Sequence, residues 1–269
     1  MDELQQRLLL AHQLADCAGE VIRGYFRRSH LPTQTKVAQI SALVTVADQE
    51  AEAAMVEVIN QTLPQDGILA EEGNNRPSQS GYTWVIDPLD GTAAFVKGFP
   101  LFGVLIGLVD AQHQPLLGIA HQPISQERWL GLRGQPSQEN GRLIENPYCL
   151  ESHWPLGAAC LTATTPLMFV TPRQQAIFHG LQSHCRRTAF GGDCYNYLAL
   201  ASGWSALPLV ILEADMNYYD FCALIPIVQG AGAVITDWSG QPLTPHSREV
   251  LAAANESLHQ QAIAMINAL

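Results

Sequence analysis

Acidic side chains in three separate segments have the types and spacing needed to hold a hard cation. They are Glu71, Glu72, Asp87, Asp90 and Asp220. Magnesium takes oxygen ligands and commonly keeps some of its water. Asp87 ends a predicted strand and Asp90 follows three residues later, so both carboxylates and the Leu89 carbonyl between them can face one point. The sequence therefore predicts a magnesium site around residues 87–92.

The residues after Asp90 favour phosphate chemistry at that site. Gly91 permits tight backbone geometry, and Thr92 is predicted to lie at the start of a helix. Free N–H groups at a helix start suit a phosphate oxygen, and the Thr92 hydroxyl can hold a water. A metal lowers the pKa of its bound water and offsets the charge of a phosphate. The segment therefore points to hydrolysis of phosphate esters.

Each acidic segment also has a plainer interpretation that the residues alone leave open. Asp, Pro and Gly are ordinary turn residues, so 87–92 can be a simple turn. Glu71 and Glu72 can be a solvated loop end, and Asp220 can cap a helix that begins at Phe221. Other motifs are excluded, since an EF-hand loop would need Glu where Gly98 stands, and the chain has no P-loop, GxSxG or complete GxGxxG.

Composition limits the class of protein. The chain has 269 residues, of which 47% are hydrophobic and 14% charged, which suits one large domain or two packed halves. The net charge of −11 disfavours nucleic acid and anionic membranes as partners. It would also repel a phosphorylated substrate at long range, so a phosphatase of this composition needs bound cations.

The ends and the cysteines predict a cytoplasmic location. The chain starts without the basic and apolar regions of a signal peptide, and its longest apolar run, at 101–109, is too short to span a bilayer. Six separated cysteines without a CxxC pair are predicted to be reduced thiols.

Hydrophobic periodicity predicts a layered α/β fold in which helices cover mixed sheets. Predicted helices lie at 4–26, 48–63, 172–181, 194–201 and 221–230 and from 257 onward, with a kink or an irregular first turn at Pro226. Predicted strands lie at 68–70, 83–86, 101–109, 115–123, 128–132, 159–162, 207–212, 234–237 and 249–253. The Gly-, Pro- and Asn-rich stretch 134–156 predicts a boundary, with an N-terminal half at 1–145 and a C-terminal half at 146–269.

Taken together, these segments resemble the inositol monophosphatase family of metal-dependent phosphatases. The matching pieces are 70–73 (Ala-Glu-Glu-Gly), 84–92 (Trp-Val-Ile-Asp-Pro-Leu-Asp-Gly-Thr), 219–223 (Tyr-Asp-Phe-Cys-Ala), 230–232 (Gly-Ala-Gly) and 44–48 (Val-Thr-Val-Ala-Asp), with Lys36 upstream. The resemblance covers nearly the whole chain. It implies an αβαβα sandwich of two tightly packed halves and a homodimer.

The resemblance also implies roles for individual residues. Two or three magnesium ions would be held by Glu71, Asp87, the Leu89 carbonyl, Asp90 and Asp220. Thr92, hydrogen-bonded to Asp48, would orient the attacking water with help from Glu71, and Lys36 would lie near the metals or the phosphate. Water would attack a phosphate monoester directly, without a phospho-enzyme.

The substrate is expected to be selected by the second half. The segment 190–197 (Phe-Gly-Gly-Asp-Cys-Tyr-Asn-Tyr) and the stretch 219–238 resemble the histidinol-phosphate phosphatases of the family, which act in histidine biosynthesis. Asp193 or Glu213 would pair with the ammonium or imidazole of that substrate. Gly91, Thr92 and Asp220 are the other expected substrate contacts, and the backbone at Gly91 and Thr92 suits its phosphate. Asp193 can instead cap the helix that starts near Cys194.

Other functions remain open from the sequence. The runner-up is an inositol-1-phosphate phosphatase or a broad phosphomonoesterase, and a regulatory binding protein is a third reading. Three positions depart from common family patterns: Ala93, the pair Leu207-Pro208, and the pair Gly232-Ala233.

Overall fold

The computed structural model describes residues 3–29, 33–35, 43–150 and 153–269. Within these ranges the strands are β1 (Thr33–Thr35), β2 (Leu43–Thr45), β3 (Gly67–Ala70), β4 (Thr83–Asp90), β5 (Gly103–Val109), β6 (Pro115–Gln122), β7 (Glu127–Leu132), β8 (Gln138–Glu139), β9 (Arg142–Leu143), β10 (Cys160–Ala163), β11 (Arg187–Phe190), β12 (Leu209–Glu213), β13 (Val234–Thr236) and β14 (Val250–Ala253). The helices are α1 (Glu3–Tyr25), α2 (Val46–Thr62), α3 (Thr92–Val96), α4 (Pro147–Leu150), α5 (Pro172–His184), α6 (Cys194–Ser202), α7 (Tyr218–Phe221), α8 (Leu224–Gly230) and α9 (Glu256–Asn267).

Two large sheets organise the described part of the chain. The first contains seven strands in the order β3-β4-β5-β6-β7-β8-β9, and β3 and β4 pair in parallel while the later neighbours are antiparallel. The second contains five strands in the order β11-β10-β12-β14-β13, parallel at β11-β10-β12 and antiparallel beyond. A small antiparallel pair, β1 and β2, lies apart from both sheets.

Three apolar clusters show how helices and sheets alternate. Side chains of α1 and α2, including Leu14 and Met55, pack on one face of the first sheet. Side chains of α6, α7 and α8 share a cluster with the opposite face of that sheet and with β12 and β14. The outer face of the second sheet packs against α5 and α9. The five layers are therefore α, β, α, β and α, and the predicted αβαβα sandwich is confirmed.

The helices bury the faces that their sequence periodicity predicts. In α1 the residues Ala11, Leu14, Ala15, Ala18 and Ile22 are fully buried at intervals of three or four. Small side chains on this face let α1 approach both α2 and β6 closely. No helix within the described ranges is long and apolar enough to cross a membrane.

Two glycines set the distance between the first sheet and α8. A Cβ atom on Gly118 of β6 would lie 2.7 Å from the Ala223 carbonyl carbon, and one on Gly131 of β7 would lie 2.6 Å from the Pro226 carbonyl oxygen. Real Cβ atoms do not approach backbone so closely. Glycine at these positions therefore lets the backbone before and within α8 lie directly on the sheet.

Several predicted elements differ from the structure. The helix predicted at 221–230 is divided into α7 and α8. Pro226 lies in the first turn of α8 and lacks an N–H group to bond the preceding turn, which agrees with the irregular first turn predicted there. The strand predicted at 83–86 continues to Asp90, and the one predicted from 101 begins at Gly103. The strands β1, β2, β8, β9 and β11 were not predicted.

The prediction of reduced cysteines is confirmed, whereas the predicted boundary between two halves of the chain is not tested. All six cysteines lie within the described residues and are unpaired, as the sequence predicts. The boundary between 1–145 and 146–269 stays a prediction. It does not separate the packing, since Ser137 Oγ donates a hydrogen bond to the Ile227 carbonyl at 2.8 Å, and the central cluster contains residues from both halves.

His121 is buried where β6 packs against α1, away from the acidic segments. Its Nδ1–H donates to the Glu127 carbonyl at 3.0 Å, while its Nε2 lies against Gly19 of α1. Burial lowers the pKa of His121 to about 4, and the charge of Arg128 acts in the same direction. The ring is therefore neutral in the folded protein at neutral pH.

This histidine predicts a loss of stability in mild acid. An unfolded histidine has a pKa of about 6.5, so between pH 6.5 and 4 the unfolded chain takes up a proton that the folded chain resists. The free energy of unfolding should therefore fall as the pH falls, by about 2 kcal/mol between pH 7 and 5. Urea unfolding of the wild type and His121→Gln at both pH values measures it, and equal pH slopes would contradict the prediction.

Candidate active site

The parallel pairing of β3 and β4 brings the first two acidic segments together. Ala70 pairs with Ile86, and the Glu71 N–H donates to the Ile86 carbonyl at 3.1 Å. Glu71 therefore leaves β3 beside Asp87 of β4, which is only 2% exposed. Parallel strands that end at one sheet edge present their following side chains to the same space.

A bulge in β4 positions the next carboxylate. The register between β4 and β5 shifts between Asp87 and Asp90, so Pro88 and Leu89 together lie opposite Val104 and β4 has one extra residue there. The Leu89 N–H donates to Asp87 Oδ1 at 3.0 Å, which holds the first carboxylate in place. Gly91 follows with φ at 89°, and a Cβ atom there would lie 2.8 Å from the Leu101 carbonyl oxygen. The predicted short helix after Gly91 is α3.

Asp90 connects the first sheet to the second half of the chain. Its Oδ2 accepts a hydrogen bond of 2.6 Å from the N–H of Cys194, the first residue of α6. A carboxylate at a helix start is stabilised by the helix dipole and by free N–H groups. The bond therefore fixes Asp90 relative to the segment that is expected to select the substrate.

Asp220 is the third residue of α7 and not the cap of a helix beginning at Phe221. The residue in the cap position is Asn217, whose N–H donates to Asp220 Oδ2 at 2.6 Å. Arg248 contacts the Asn217 side chain and donates to Asp215 Oδ1 at 2.9 Å. The interpretation of Asp220 as a helix cap is thus wrong, because Asn217 occupies the cap position. The Asp220 carboxylate nevertheless stabilises the start of α7 through its bond to the Asn217 N–H.

Electrostatics at this site fit a bound cation. Burial and the charges of Glu71, Asp90 and Asp220 raise the pKa of Asp87 well above its usual range. Burial likewise raises the pKa of Asp90 and Asp220 well above the usual range. A cation among these oxygens would favour the charged forms. Within the described ranges, no group of three or more His, Cys, Asp or Glu side chains is arranged to hold a metal ion by itself. The ligand set that the family resemblance implies also includes the Leu89 carbonyl.

Thr92 and Asp48 are in contact, as the family resemblance implies. Thr92 Oγ1 lies 3.1 Å from Asp48 Oδ1 and 3.0 Å from the Leu89 carbonyl oxygen, and it can donate its proton to either. Asp48 Oδ2 accepts bonds of 2.8 Å and 2.5 Å from the N–H and hydroxyl of Thr45 at the start of α2. Asp48 therefore joins the start of α2 to the start of α3.

Replacement of Thr92 tests the predicted water-positioning role. Thr92→Val keeps the shape of the side chain but removes the hydroxyl, and kcat should fall about a hundredfold, a usual size for a lost proton-transfer or positioning group. Thr92→Ser is the matched control and should retain most of the rate. Steady-state kinetics with magnesium measure both variants, and a Val variant with wild-type kcat would contradict the role.

One pocket of about 1200 Å³ contains nearly every residue that the sequence nominates. Its lining includes Glu71, Asp87, Leu89, Asp90, Gly91, Thr92, Asp193, Glu213 and Asp220. Asp48 is buried beneath the wall, where it holds Thr92. Lys36 lies outside the described residues. The structure therefore brings together the residues expected to bind metal and those expected to bind substrate.

A family model for the inositol monophosphatase family matches residues 3–269. The chain belongs to the inositol monophosphatase family. It is 38% identical over 271 residues to the bifunctional phosphatase IMPL2, chloroplastic, of Arabidopsis thaliana, covering 97% of this chain and 75% of that protein. It is 31% identical to a histidinol-phosphatase of Chlorobaculum parvum, covering 96% of both proteins.

Solved structures agree with this assignment. An inositol monophosphatase from Zymomonas mobilis has 38% sequence identity to this chain. Its solved structure superposes on this one with a TM-score of 0.85 and covers 99% of this chain and all of that one. Enzymes of the inositol monophosphatase family are metal-dependent phosphatases, typically with magnesium. The chain is therefore a phosphatase of this family that acts on a phosphate monoester.

Asp193 occupies the cap position of α6 without capping it. Its backbone has φ 43° and ψ −128°, and its side chain makes no hydrogen bond to the helix start. A residue other than glycine in such a conformation costs about 1–3 kcal/mol, and strain of this kind clusters at functional sites. Burial raises the pKa of Asp193 to about 6, with Lys97 acting in the opposite direction.

Glu213 also lines the pocket, at the end of β12, and is 2% exposed. Its Oε1 accepts bonds from the Thr164 N–H at 2.8 Å and the Thr164 hydroxyl at 3.0 Å. Burial raises the pKa of Glu213 to about 8, and the charges of Asp193 and Asp220 add to the rise. Two carboxylates therefore lie in the pocket beyond the proposed metal ligands.

Sequence reasoning missed several residues of the pocket. Lys97, Thr164, Tyr197 and Arg248 all line it. Lys97 carries a weak signal, because it is one of only two lysines in the chain. Tyr197 lies in the matching segment 190–197 but was given no role, and Thr164 and Arg248 carry no motif, since their positions in the pocket depend on how the second sheet is placed relative to the first.

Proposed function

We propose that this protein is a magnesium-dependent histidinol-phosphatase of histidine biosynthesis. The observation that carries the substrate assignment is the pair Asp193 and Glu213, two buried carboxylates in the same pocket as the proposed metal ligands. The sugar or inositol part of the alternative substrates carries no positive charge to offset these carboxylates, whereas histidinol phosphate carries an ammonium and an imidazole. The identity to a curated histidinol-phosphatase supports the same assignment.

The proposed metal ligands are Glu71, Asp87, the Leu89 carbonyl, Asp90 and Asp220, for two or three ions. Bound magnesium would supply positive charge that screens the phosphate and acidifies water. Thr92 orients the attacking water through its hydroxyl, Asp48 fixes that hydroxyl, and Glu71 assists in taking the proton. Gly91, Thr92 and Asp220 border the phosphate. We further propose a cytoplasmic homodimer, as the family resemblance implies.

A substrate panel tests the assignment. The purified protein with magnesium should show a kcat/KM for histidinol phosphate at least about tenfold above that for inositol 1-phosphate or fructose 1,6-bisphosphate, because each charge-assisted contact to the head group contributes that much or more. A clear preference for either sugar phosphate would replace this proposal with the alternative of an inositol phosphatase or broad phosphomonoesterase. That alternative is supported by the identity to the Zymomonas mobilis enzyme.

Charge removal at the head-group carboxylates gives a sharper prediction. Asp193→Asn and Glu213→Gln should each raise KM for histidinol phosphate about tenfold to a hundredfold. The cationic head group would favour the charged form of each carboxyl group, and the substitution removes that charged acceptor. Both variants should hydrolyse p-nitrophenyl phosphate, which has no cationic head, at near wild-type rates. Glu57→Gln, an exposed change on α2, is the control. Equal losses on both esters would place these carboxylates at the phosphate instead.

A further inference from the structure

Tyr197 on α6 has a buried hydroxyl without a partner. The residue is 1% exposed, and its ring lies in the central apolar cluster. Its oxygen makes no hydrogen bond to any residue that the structure describes. Buried polar groups are nearly always hydrogen-bonded in native proteins, so this hydroxyl is expected to have a partner in the working state.

Tyr197 differs from the other residues that have a buried polar atom without a hydrogen bond, because it lines the pocket. Arg128 Nε and Trp154 Nε1 also lack a hydrogen bond within the described ranges, but neither residue lines the pocket. Tyr197 does line it. The carboxylates that act on its hydroxyl are those of Glu213, Asp90 and Asp220. The charges of two proposed metal ligands and of one proposed head-group carboxylate therefore act on the Tyr197 hydroxyl.

The hydroxyl can both accept and donate a hydrogen bond there. Burial and the neighbouring carboxylates raise the pKa of Tyr197 well above its usual range, so the phenol keeps its proton. Glu213 uses Oε1 for both bonds from Thr164, and Oε2 makes no hydrogen bond to a described residue. Glu213 Oε2 is therefore available to accept from a ligand, and the Tyr197 oxygen, which has no partner among the described residues, is available to accept as well.

A primary ammonium matches this set of groups. An ammonium has three N–H donors and no acceptor. Asp193, Glu213 and the Tyr197 oxygen supply three acceptor groups in one pocket. In histidinol phosphate the ammonium is carried by the carbon next to the ester carbon, so it must bind close to the phosphate. Tyr197, influenced by Asp90 and Asp220 as well as by Glu213, is suited to that position.

We propose that Tyr197 is a specificity-determining residue whose hydroxyl accepts an N–H of the substrate's ammonium group. This inference rests on the proposed function. The Tyr197 hydroxyl adds a neutral acceptor to the carboxylates of Asp193 and Glu213. A substrate N–H would also provide the hydrogen-bond partner that this buried hydroxyl lacks among the described residues.

The test compares two esters and two variants. Histidinol phosphate is compared with 3-(imidazol-4-yl)propyl phosphate, which lacks only the ammonium. Tyr197→Phe should lower kcat/KM for histidinol phosphate about tenfold to a hundredfold and change that for the analogue less than about threefold. Because no protein hydrogen bond is lost, its Tm should not fall. Tyr195→Phe is the matched control on the same helix, since its hydroxyl bonds Glu127 at 2.6 Å and lies outside the pocket lining; it should leave the ratio of the two esters unchanged.

Each other outcome overturns a defined part of the argument. A wild-type enzyme without a preference for histidinol phosphate over the analogue would overturn the proposed function and the ammonium contact with it. A wild-type preference that Tyr197→Phe keeps in full would overturn only the contact. Equal losses on both esters would place the hydroxyl at the phosphate and metal end of the pocket.

Discussion

Asp87→Asn is expected to lower kcat by about a thousandfold or more while raising the stability of the metal-free protein. Asp87 is buried, and the charges of Glu71, Asp90 and Asp220 act on it. Asparagine keeps the size of the side chain but removes the charge that would hold magnesium. A loss of about 4 kcal/mol of metal-dependent transition-state stabilisation corresponds to a thousandfold in rate.

The stability change has the opposite sign because the same charge is unfavourable without a cation. A raised carboxyl pKa means that the folded state resists ionisation, so stability falls as the pH rises from the unfolded pKa toward the folded one. At pH 8 the Asn variant should therefore be more stable than the wild type in metal-free buffer. Magnesium should raise Tm of the wild type and have a much smaller effect on the variant.

Asp66→Asn is the matched control for a buried aspartate outside the pocket. Asp66 accepts bonds from Arg7 at 2.7 and 2.9 Å, from Ser80 at 2.6 Å and from Trp84 at 3.1 Å. Removing one member of such a buried ion pair costs about 3–5 kcal/mol, so this variant should be less stable. Thermal unfolding with and without magnesium measures both. An Asp87→Asn protein with unchanged turnover would contradict the catalytic interpretation of this pocket.

Gly118→Ala is expected to destabilise the fold by about 4 kcal/mol or more. The added Cβ atom would lie 2.7 Å from the Ala223 carbonyl carbon and 3.0 Å from its Cα. The clash is with backbone, so no side chain can rotate to relieve it, and overpacking of this kind is at the upper end of mutational effects. Because Asp220 precedes this segment, any shift of α8 would also move a proposed metal ligand.

Gly24→Ala separates this effect from a general cost of replacing glycine. Gly24 lies in the last turn of α1 with nothing within 4 Å of its would-be Cβ atom. Alanine there should be neutral or stabilising by about 0.5–1 kcal/mol, since glycine is a poor helix former. Urea unfolding measures the free energy of unfolding of both variants, and phosphatase activity is recorded at each urea concentration. A Gly118→Ala protein within about 1 kcal/mol of wild type would show that α8 can move away from the sheet.

The proposed metal ligands could be nominated from sequence because each lies in a short segment with its own pattern. Asp87 follows an apolar strand, and Glu71 follows another, so the parallel pair brings them together without further information. The edge strand β11 carried no such signal, because Arg187, Ala189 and Phe190 are exposed and show no buried alternation. The break between α7 and α8 was only partly visible, through Pro226.

The substrate end of the pocket depends on contacts between distant parts of the chain. The bond from Cys194 to Asp90 joins residues 104 positions apart. The backbone conformation of Asp193 and the unpartnered hydroxyl of Tyr197 follow from how α6 is held between the two sheets. Local propensity carries no information about such packing, so the resemblance gave Asp193 a role but included Tyr197 only as the last residue of the matching segment, without a role.

The bond between Asp90 and Cys194 has a consequence for how the enzyme family can diversify. One oxygen of Asp90, a proposed metal ligand, accepts a hydrogen bond from the first N–H of α6. Asp193 directly precedes this helix, and Tyr197 lies within it. A change in the start of α6 therefore alters the free energy of cation binding, and by thermodynamic reciprocity an occupied cation site alters the affinity for the substrate head group. Substrate preference and magnesium requirement are expected to vary together among relatives that differ in this segment.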